Sequence, residues 1–188
     1  MGAALGCVRH GDSYGVLMVG LDGSGATTAL YQMKDEEYIQ TLPTLGVNNE
    51  LLEVEGIFME VYEIGGAEKV RALWRTYSKL ANGVVFVMDA TDKNRFILAR
   101  EEIRRLFLGD KTAKSLIVPD LPLLVLLNKQ DVPGCVPTSE IEEMLELQAL
   151  PVRASKVLEC SAKTGENLAD GFKWLAKQLQ MEKDDGDD

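Results

Sequence analysis

Gly20-Leu21-Asp22-Gly23-Ser24-Gly25-Ala26-Thr27-Thr28 follows an apolar, strand-like run over residues 14–19 and leads into a helix-like segment that begins at Thr27. A strand that turns through glycines into a helix can wrap backbone N–H groups around a phosphate. The pattern G-x-x-x-x-G-K-[ST] asks for two glycines, a Lys that reaches the β/γ-phosphates and a Ser or Thr hydroxyl for Mg²⁺. Gly20, Gly25 and Thr27 meet it, but Ala26 stands at the Lys position. A turn that merely happens to be rich in glycine would look the same, so the rest of the chain must decide.

The chain has 188 residues and the composition of one globular domain. Its formal charge of -10 opposes approach to a nucleic-acid backbone, so nucleic acid is not expected as a partner. Residues 181–188, Met181-Glu182-Lys183-Asp184-Asp185-Gly186-Asp187-Asp188, read as an acidic, solvated tail, and residues 1–13 as a leader. Between them, residues 14–180 form the domain. Cys7, Cys135 and Cys160 sit in no paired spacing, which suggests neither a zinc site nor a disulfide framework and fits a reducing, cytoplasmic setting. No apolar run is long enough to span a membrane. His10 is the single histidine, which leaves no histidine base for a catalytic triad in the body of the domain.

The leader opens Met-Gly, as in the acylation pattern M-G-x-x-x-[ST], but the sixth residue is Gly6. Gly2 is thus a partial match for myristoylation, and Cys7 a second acylation candidate. A single myristoyl chain binds membranes only marginally, so weak or conditional membrane contact is the expectation.

Along the domain, a short helix is expected over about 27–33, followed by a loop at Thr41-Leu42-Pro43-Thr44-Leu45-Gly46. Two strand-like runs, 51–55 and 57–63, flank Gly56 as a hairpin. Val70, Leu73, Trp74 and Tyr77 fall at helical spacing within 68–79. The unbroken apolar runs 83–88 and 123–127 suit parallel strands covered on both faces. Phe96, Ala99, Ile103, Leu106 and Phe107 mark a long helix between them, and the connection 109–122, with Leu116-Ile117-Val118, is placed on the surface. Ser139 and Glu142 fit a capping box, and a last helix is expected over about 167–180 with Phe172, Trp174, Leu175 and Leu179 inward. Strands alternating with helices give an α/β fold, a doubly wound, mostly parallel sheet.

Asn128-Lys129-Gln130-Asp131 comes directly after the apolar run 123–127, at a carboxyl edge of the sheet where such folds bind ligands. An Asp carboxylate can accept from both N1–H and N2–H₂ of guanine, whereas adenine lacks that donor pair. Glu159-Cys160-Ser161-Ala162-Lys163 follows another strand-like pair and offers a backbone N–H for guanine O6. Each motif alone is compatible with a polar turn; together, in order and after a phosphate loop, they point to a guanine nucleotide.

At these residues the chain resembles the Ras-like small GTPases and, within them, the ADP-ribosylation factor (Arf) and Arf-like branch. The resemblance spans about 14–180 and is carried by Gly20-Leu21-Asp22, Pro43-Thr44-Leu45-Gly46, Gly65-Gly66, Leu73-Trp74-Arg75 with Tyr77, and Asn128-Lys129-Gln130-Asp131. It implies a six-stranded P-loop NTPase fold, GTP/GDP with Mg²⁺, switch segments at about 40–47 and 65–77, and a hairpin over 48–62 that shifts on nucleotide exchange. It also implies a regulatory role in vesicle trafficking and a peripheral location on internal membranes. By the same resemblance Asp22, Gly23, Ser24, Gly25, Ala26, Thr27 and Thr28 surround the phosphates, with Thr27 as a Mg²⁺ ligand and Thr44 as the switch ligand that joins it only when a γ-phosphate is present. Gly66 donates to the γ-phosphate, while Asn128, Lys129, Asp131, Ser161, Ala162 and Lys163 hold the base. Leu45, Val47, Tyr62, Trp74 and Tyr77 correspond to an exposed patch for effectors or regulators, although the aromatics also suit plain core packing.

Three departures fall on the chemistry. Ala26 replaces the phosphate-loop Lys, Glu63 the Asp of D-x-x-G, and Ala67 the Gln that orients the attacking water. No catalytic residue is therefore assigned, and hydrolysis is expected to be very slow. Two functions compete: a guanine-nucleotide-binding regulatory protein with weakened phosphate and Mg²⁺ contacts, and a nucleotide-independent scaffold on the same fold. A P-loop kinase or ATPase would leave the guanine-reading tetrad without a purpose.

Overall fold

The apolar runs of the chain become the middle of one six-stranded sheet. The computed structural model describes residues 13–35, 41–42, 44–109, 114–117 and 119–184, with side chains as far as Met181. Strands β1 (Tyr14–Gly20), β2 (Val47–Val54), β3 (Ile57–Ile64), β4 (Gly83–Asp89), β5 (Leu123–Asn128) and β6 (Ser155–Glu159) lie in the order β2-β3-β1-β4-β5-β6. All neighbours are parallel except β2 and β3. Strands β1, β4 and β5 are buried almost throughout, as a sheet covered on both faces requires.

Alternation along each strand divides the core into two layers. Leu17, Val19, Phe86 and Val125 face one layer, closed by α3 (Phe96–Leu108) and α4 (Thr138–Leu145) and by Trp74. Val16, Met18, Val85 and Leu126 face the other, closed by α1 (Ala26–Asp35) and α5 (Leu168–Asp184) through Leu30, Phe172, Leu175 and Leu179. Phe172 is fully buried, and its truncation to Ala costs about 3–5 kcal/mol by the usual measure of such cavities. The chain moves from β3 across β1 to β4, so the order of strands reverses between β1 and β4, and ligands in this architecture bind at the carboxyl ends beside such a reversal. The phosphate loop leaves β1 at that edge.

Several local expectations shift. The hairpin turn is the two-residue Glu55-Gly56, both at positive φ (53° and 77°), so β2 starts at Val47 rather than near Leu51. In place of one helix over 68–79, the chain makes short helical turns at Arg71–Leu73, α2 (Trp74–Tyr77) and Ser78–Leu80. Ile117 is buried in the core rather than on the surface, because the Leu116 and Ile117 N–H groups both donate to the Leu106 carbonyl and draw the segment under α3. Val118 lies outside the described residues. The Ser139–Glu142 capping box is not formed: α4 starts at Thr138, whose N–H and hydroxyl donate to Glu159 Oε1 at 2.9 and 2.7 Å. A carboxylate from β6 thus caps the helix from outside its own sequence, and these bonds hold Glu159 below the usual carboxylate range. Finally, α5 continues past Gln180 to Asp184, into the stretch read as tail.

Candidate functional site

The loop between β1 and α1 keeps its shape through glycine. Gly25 has φ +87°, and a Cβ there would stand 2.4 Å from Asn128 Nδ2. Gly66, after β3, packs so closely that a Cβ would meet the Gly20 carbonyl oxygen at 2.2 Å. Together they surround a cavity of about 290 Å³ lined by residues 20–28, Thr41, Leu42, Thr44, Glu63, residues 64–67 and Lys129. Ala26 and Ala67 both line it, so the two replaced side chains belong to this space. Lys129 supplies the only basic side chain on its wall among the described residues.

The Thr27 and Thr44 Oγ1 atoms, the two expected Mg²⁺-binding hydroxyls, lie 2.9 Å apart. Between them lies the Glu63 carboxylate, 2% exposed: Thr27 donates to Oε1 at 3.1 Å and Thr44 approaches Oε2 at 3.4 Å. The Asn48 amide donates to Oε2 at 2.7 Å. Burial pushes the Glu63 carboxyl upward, against the opposing effect of these three donors. This all-oxygen set suits a hard cation, and the 2.9 Å between the two hydroxyls is close to the about 3.0 Å between adjacent ligands of an octahedral Mg²⁺. The residues fit Mg²⁺, with Thr27, Thr44 and Glu63 as the groups that would hold it.

A second recess of about 150 Å³ is lined by Gly25, Thr28, Asn128, Lys129, Asp131, Val132, Ala162 and Lys163. Gly25, Thr28 and Lys129 line both spaces, so the two adjoin along a shared wall. Within it, Ser161 Oγ donates to Asp131 Oδ1 at 2.7 Å, and Lys163 Nζ lies 3.7 Å from Oδ2. Lys129, at φ 70°, sends Nζ to Asp89 Oδ2 at 2.6 Å. Burial works against the Asp89 charge, but the Lys129 and Thr91 donors prevail and hold its carboxyl below the usual range. Ala162 differs from expectation. Its N–H donates to Asn128 Oδ1 at 2.8 Å, so it braces the tetrad instead of facing the base unengaged.

The expected docking patch is brought together only in part. Leu45 is 84% exposed, Val47, Tyr62 and Tyr77 are half-buried, and the two tyrosine rings lie 5.4 Å apart. Trp74 is not on this face. It is 1% exposed, meets Phe86 edge-on and donates Nε1–H to the Gly65 carbonyl at 3.2 Å, so packing takes the indole inward. Leu73, its neighbour, is the more exposed residue. Sequence reasoning missed the acceptor role of Glu63 and its Asn48 partner; the sequence signal was the two residues' places on adjoining strands, but no pattern fixes their register. Cys135 and Cys160 are free thiols, and burial pushes Cys160 up to about 12, so it stays protonated at neutral pH. Gly2, Cys7 and His10 lie outside the described residues, and among the described residues no helix is long and apolar enough to cross a membrane.

Sheet order, a glycine loop after β1 and a guanine-type tetrad after β5, opening on one cleft, define a P-loop small GTPase fold. The sequence matches the ADP-ribosylation factor family over residues 5–179, and the chain belongs to that family. Among solved structures it is similar to the Arl6 (BBS3) small GTPase of Trypanosoma brucei, which carries a bound nucleotide analogue, GppNp, at 28% identity and a TM-score of 0.76, covering 90% of this chain and 98% of that one. It is also similar to the mammalian SRP receptor structure, at 26% identity and a TM-score of 0.74, covering 87% and 99%. Arf-family small GTPases bind guanine nucleotides, typically with Mg²⁺.

Proposed function

We propose that this protein binds GDP and GTP in the cleft that joins the phosphate loop to the Asn128–Asp131 tetrad, hydrolyses GTP very slowly, and signals by docking partner proteins. The supporting observation is adjacency: the recess beside Asp131 and the cavity under Gly25 share three lining residues, which suits one ligand with a base at one end and phosphates at the other. Asp131, steadied by Ser161, pairs with guanine; Lys129 flanks the base; the loop N–H groups and Gly66 receive the phosphates. Mg²⁺, held by Thr27, Thr44 and Glu63, would neutralise phosphate charge. Ala26 removes one charge-assisted contact and Ala67 leaves no side chain to orient water, so affinity is reduced and turnover is slow. Effectors or regulators dock on the Leu45, Val47, Tyr62 and Tyr77 face, joined by Leu73. The protein acts in the cytoplasm with at most weak contact to internal membranes through Gly2.

A second reading rests on a specific observation. Because Ala26 and Ala67 leave the phosphate end without its cation and water-orienting groups, the fold can serve as a nucleotide-independent scaffold that docks partners on the same face. Nucleotide content decides between them. Protein purified from cells, denatured and chromatographed, releases GDP or GTP on the first reading and nothing on the second. Titration with GDP and ADP then tests the base: GDP binds more tightly, and Asp131→Asn weakens GDP while favouring a xanthine base. Equal affinity for ADP and GDP sinks the base assignment.

A further inference from the structure

We propose that Glu63 is a positioning residue that holds Thr44 against the phosphate loop by direct hydrogen bonds, so that the segment carrying Thr44 stays docked in every nucleotide state. One carboxylate collects donors from three elements: Thr27 on α1, Thr44 ahead of β2 and Asn48 on β2. The strand ladder pairs Asn48 directly with Glu63, which puts both side chains on one face of the hairpin and aims the amide at Oε2. Each hydroxyl has a single proton. Thr27 gives its proton to Oε1, and Thr44 shares its own between Thr27 Oγ1 at 2.9 Å and Glu63 Oε2 at 3.4 Å. The cluster is therefore satisfied by protein donors alone.

Side-chain length makes this possible. Aspartate at this position would withdraw the carboxylate by about one carbon–carbon bond, about 1.5 Å, and contacts of 3.1 and 3.4 Å would open beyond hydrogen-bond range. The Thr27 and Thr44 Oγ1 atoms, 2.9 Å apart, are spaced like adjacent ligands of an octahedral cation, so a cation bound there would leave Thr44 in place. Docking of this segment is then uncoupled from the γ-phosphate. The proposal depends on the nucleotide reading only for what the clamp regulates, since the clamp itself is a property of the protein alone.

Leu45, next to Thr44 and 84% exposed, offers a reporter position. A nitroxide is attached to Leu45→Cys in the full chain with Cys7 and Cys135 replaced by Ser, and its mobility is read by electron paramagnetic resonance in EDTA, with Mg²⁺ and GDP, and with Mg²⁺ and a non-hydrolysable GTP analogue. With Glu63 in place the label has the same restricted motion in all three. With Glu63→Asp its correlation time falls at least about threefold in EDTA and with GDP, and recovers only with the GTP analogue. Thr44→Val, which removes the hydroxyl at nearly constant volume, loosens the label in the same way and serves where Glu63→Asp does not fold. The proposal is overturned if the label is mobile in EDTA with Glu63 in place, or if neither variant changes it. Should nucleotide fail to bind at all, the EDTA comparison still decides the clamp, while nucleotide content decides the reading of the cleft.

Discussion

The Asn128 side-chain amide donates to the Ser24 carbonyl oxygen over 2.8 Å, so the residue that opens the base-reading tetrad also holds the phosphate loop. Its oxygen accepts the Ala162 N–H over the same distance, and Asn128 is 1% exposed. Three loops leaving β1, β5 and β6 thus meet on one side chain. Asn128→Ala leaves a buried carbonyl and a buried N–H without partners, at about 1–3 kcal/mol each. Thermal denaturation should show a clear fall in Tm, and GDP affinity should fall with it because both ends of the cleft loosen. A variant with unchanged stability and affinity would mean that the loops hold their positions without this bridge.

Hydrolysis should be no faster than the slow intrinsic rate of Ras-like proteins, about 10⁻⁴ s⁻¹, because Ala26 and Ala67 take the places of the groups that stabilise the phosphates and orient water. Ala67 lines the cavity, so Ala67→Gln places an amide where water would be oriented. Single-turnover phosphate release measures both forms. A wild-type rate many-fold higher would show that another group in the cleft performs this step.

The Asp89–Lys129 pair predicts an acid dependence of stability. Asp89 has a folded-state pKa depressed from its ordinary 3.8, so its contribution is complete above the ordinary value and disappears as pH falls through the lower, folded one. Asp89→Asn should therefore flatten the stability curve only on its acid side, below about pH 4. Glu63 works in the opposite sense, because its raised pKa favours the folded state as pH falls into the window above the ordinary carboxylate value of 4.5. Chemical denaturation of wild type and Asp89→Asn between pH 2 and 7 separates them, and an unchanged acid limb in the variant would remove Asp89 from the account.

The fold was legible because its decisive signals are local: β1, β4 and β5 announce themselves as unbroken apolar runs, and the phosphate loop and the Asn128–Asp131 tetrad follow strands directly. What escaped depends on contacts between distant segments. Ile117 was misplaced because what draws it inward is the Leu106 carbonyl, on the preceding helix, together with packing in the core beside α3. The Ser139 capping box failed because Glu159, twenty-one residues from Thr138, takes the helix start. The Trp74–Tyr77 stripe gave a helical period but not the direction of each ring, and Trp74 went to the core while Tyr77 kept to the edge. The Glu63 substitution was visible, yet its meaning required the register that sets it opposite Asn48.

Restoring the missing cation should strengthen nucleotide binding. Ala26 is the first residue of α1, is 7% exposed and lines the phosphate cavity, so a longer side chain has the cavity itself to enter. The loop around it is intact: Gly25 keeps the positive φ of 87° that the turn requires, and Thr27 keeps its hydroxyl among the cavity-lining groups. A lysine at this position reaches toward the β/γ-phosphates as a flexible point charge, whereas Lys129, the basic residue already on the wall, is committed to Asp89 at 2.6 Å. A hydrogen bond to a charged group is worth about 1.5–3 kcal/mol, and 1.4 kcal/mol is a factor of ten. Ala26→Lys should accordingly raise affinity for GDP and GTP at least about tenfold. Calorimetry on both forms with Mg²⁺ present makes the comparison. If affinity does not change, the loop does not hold phosphate as its glycines suggest, and the nucleotide-independent scaffold becomes the better account of the cleft.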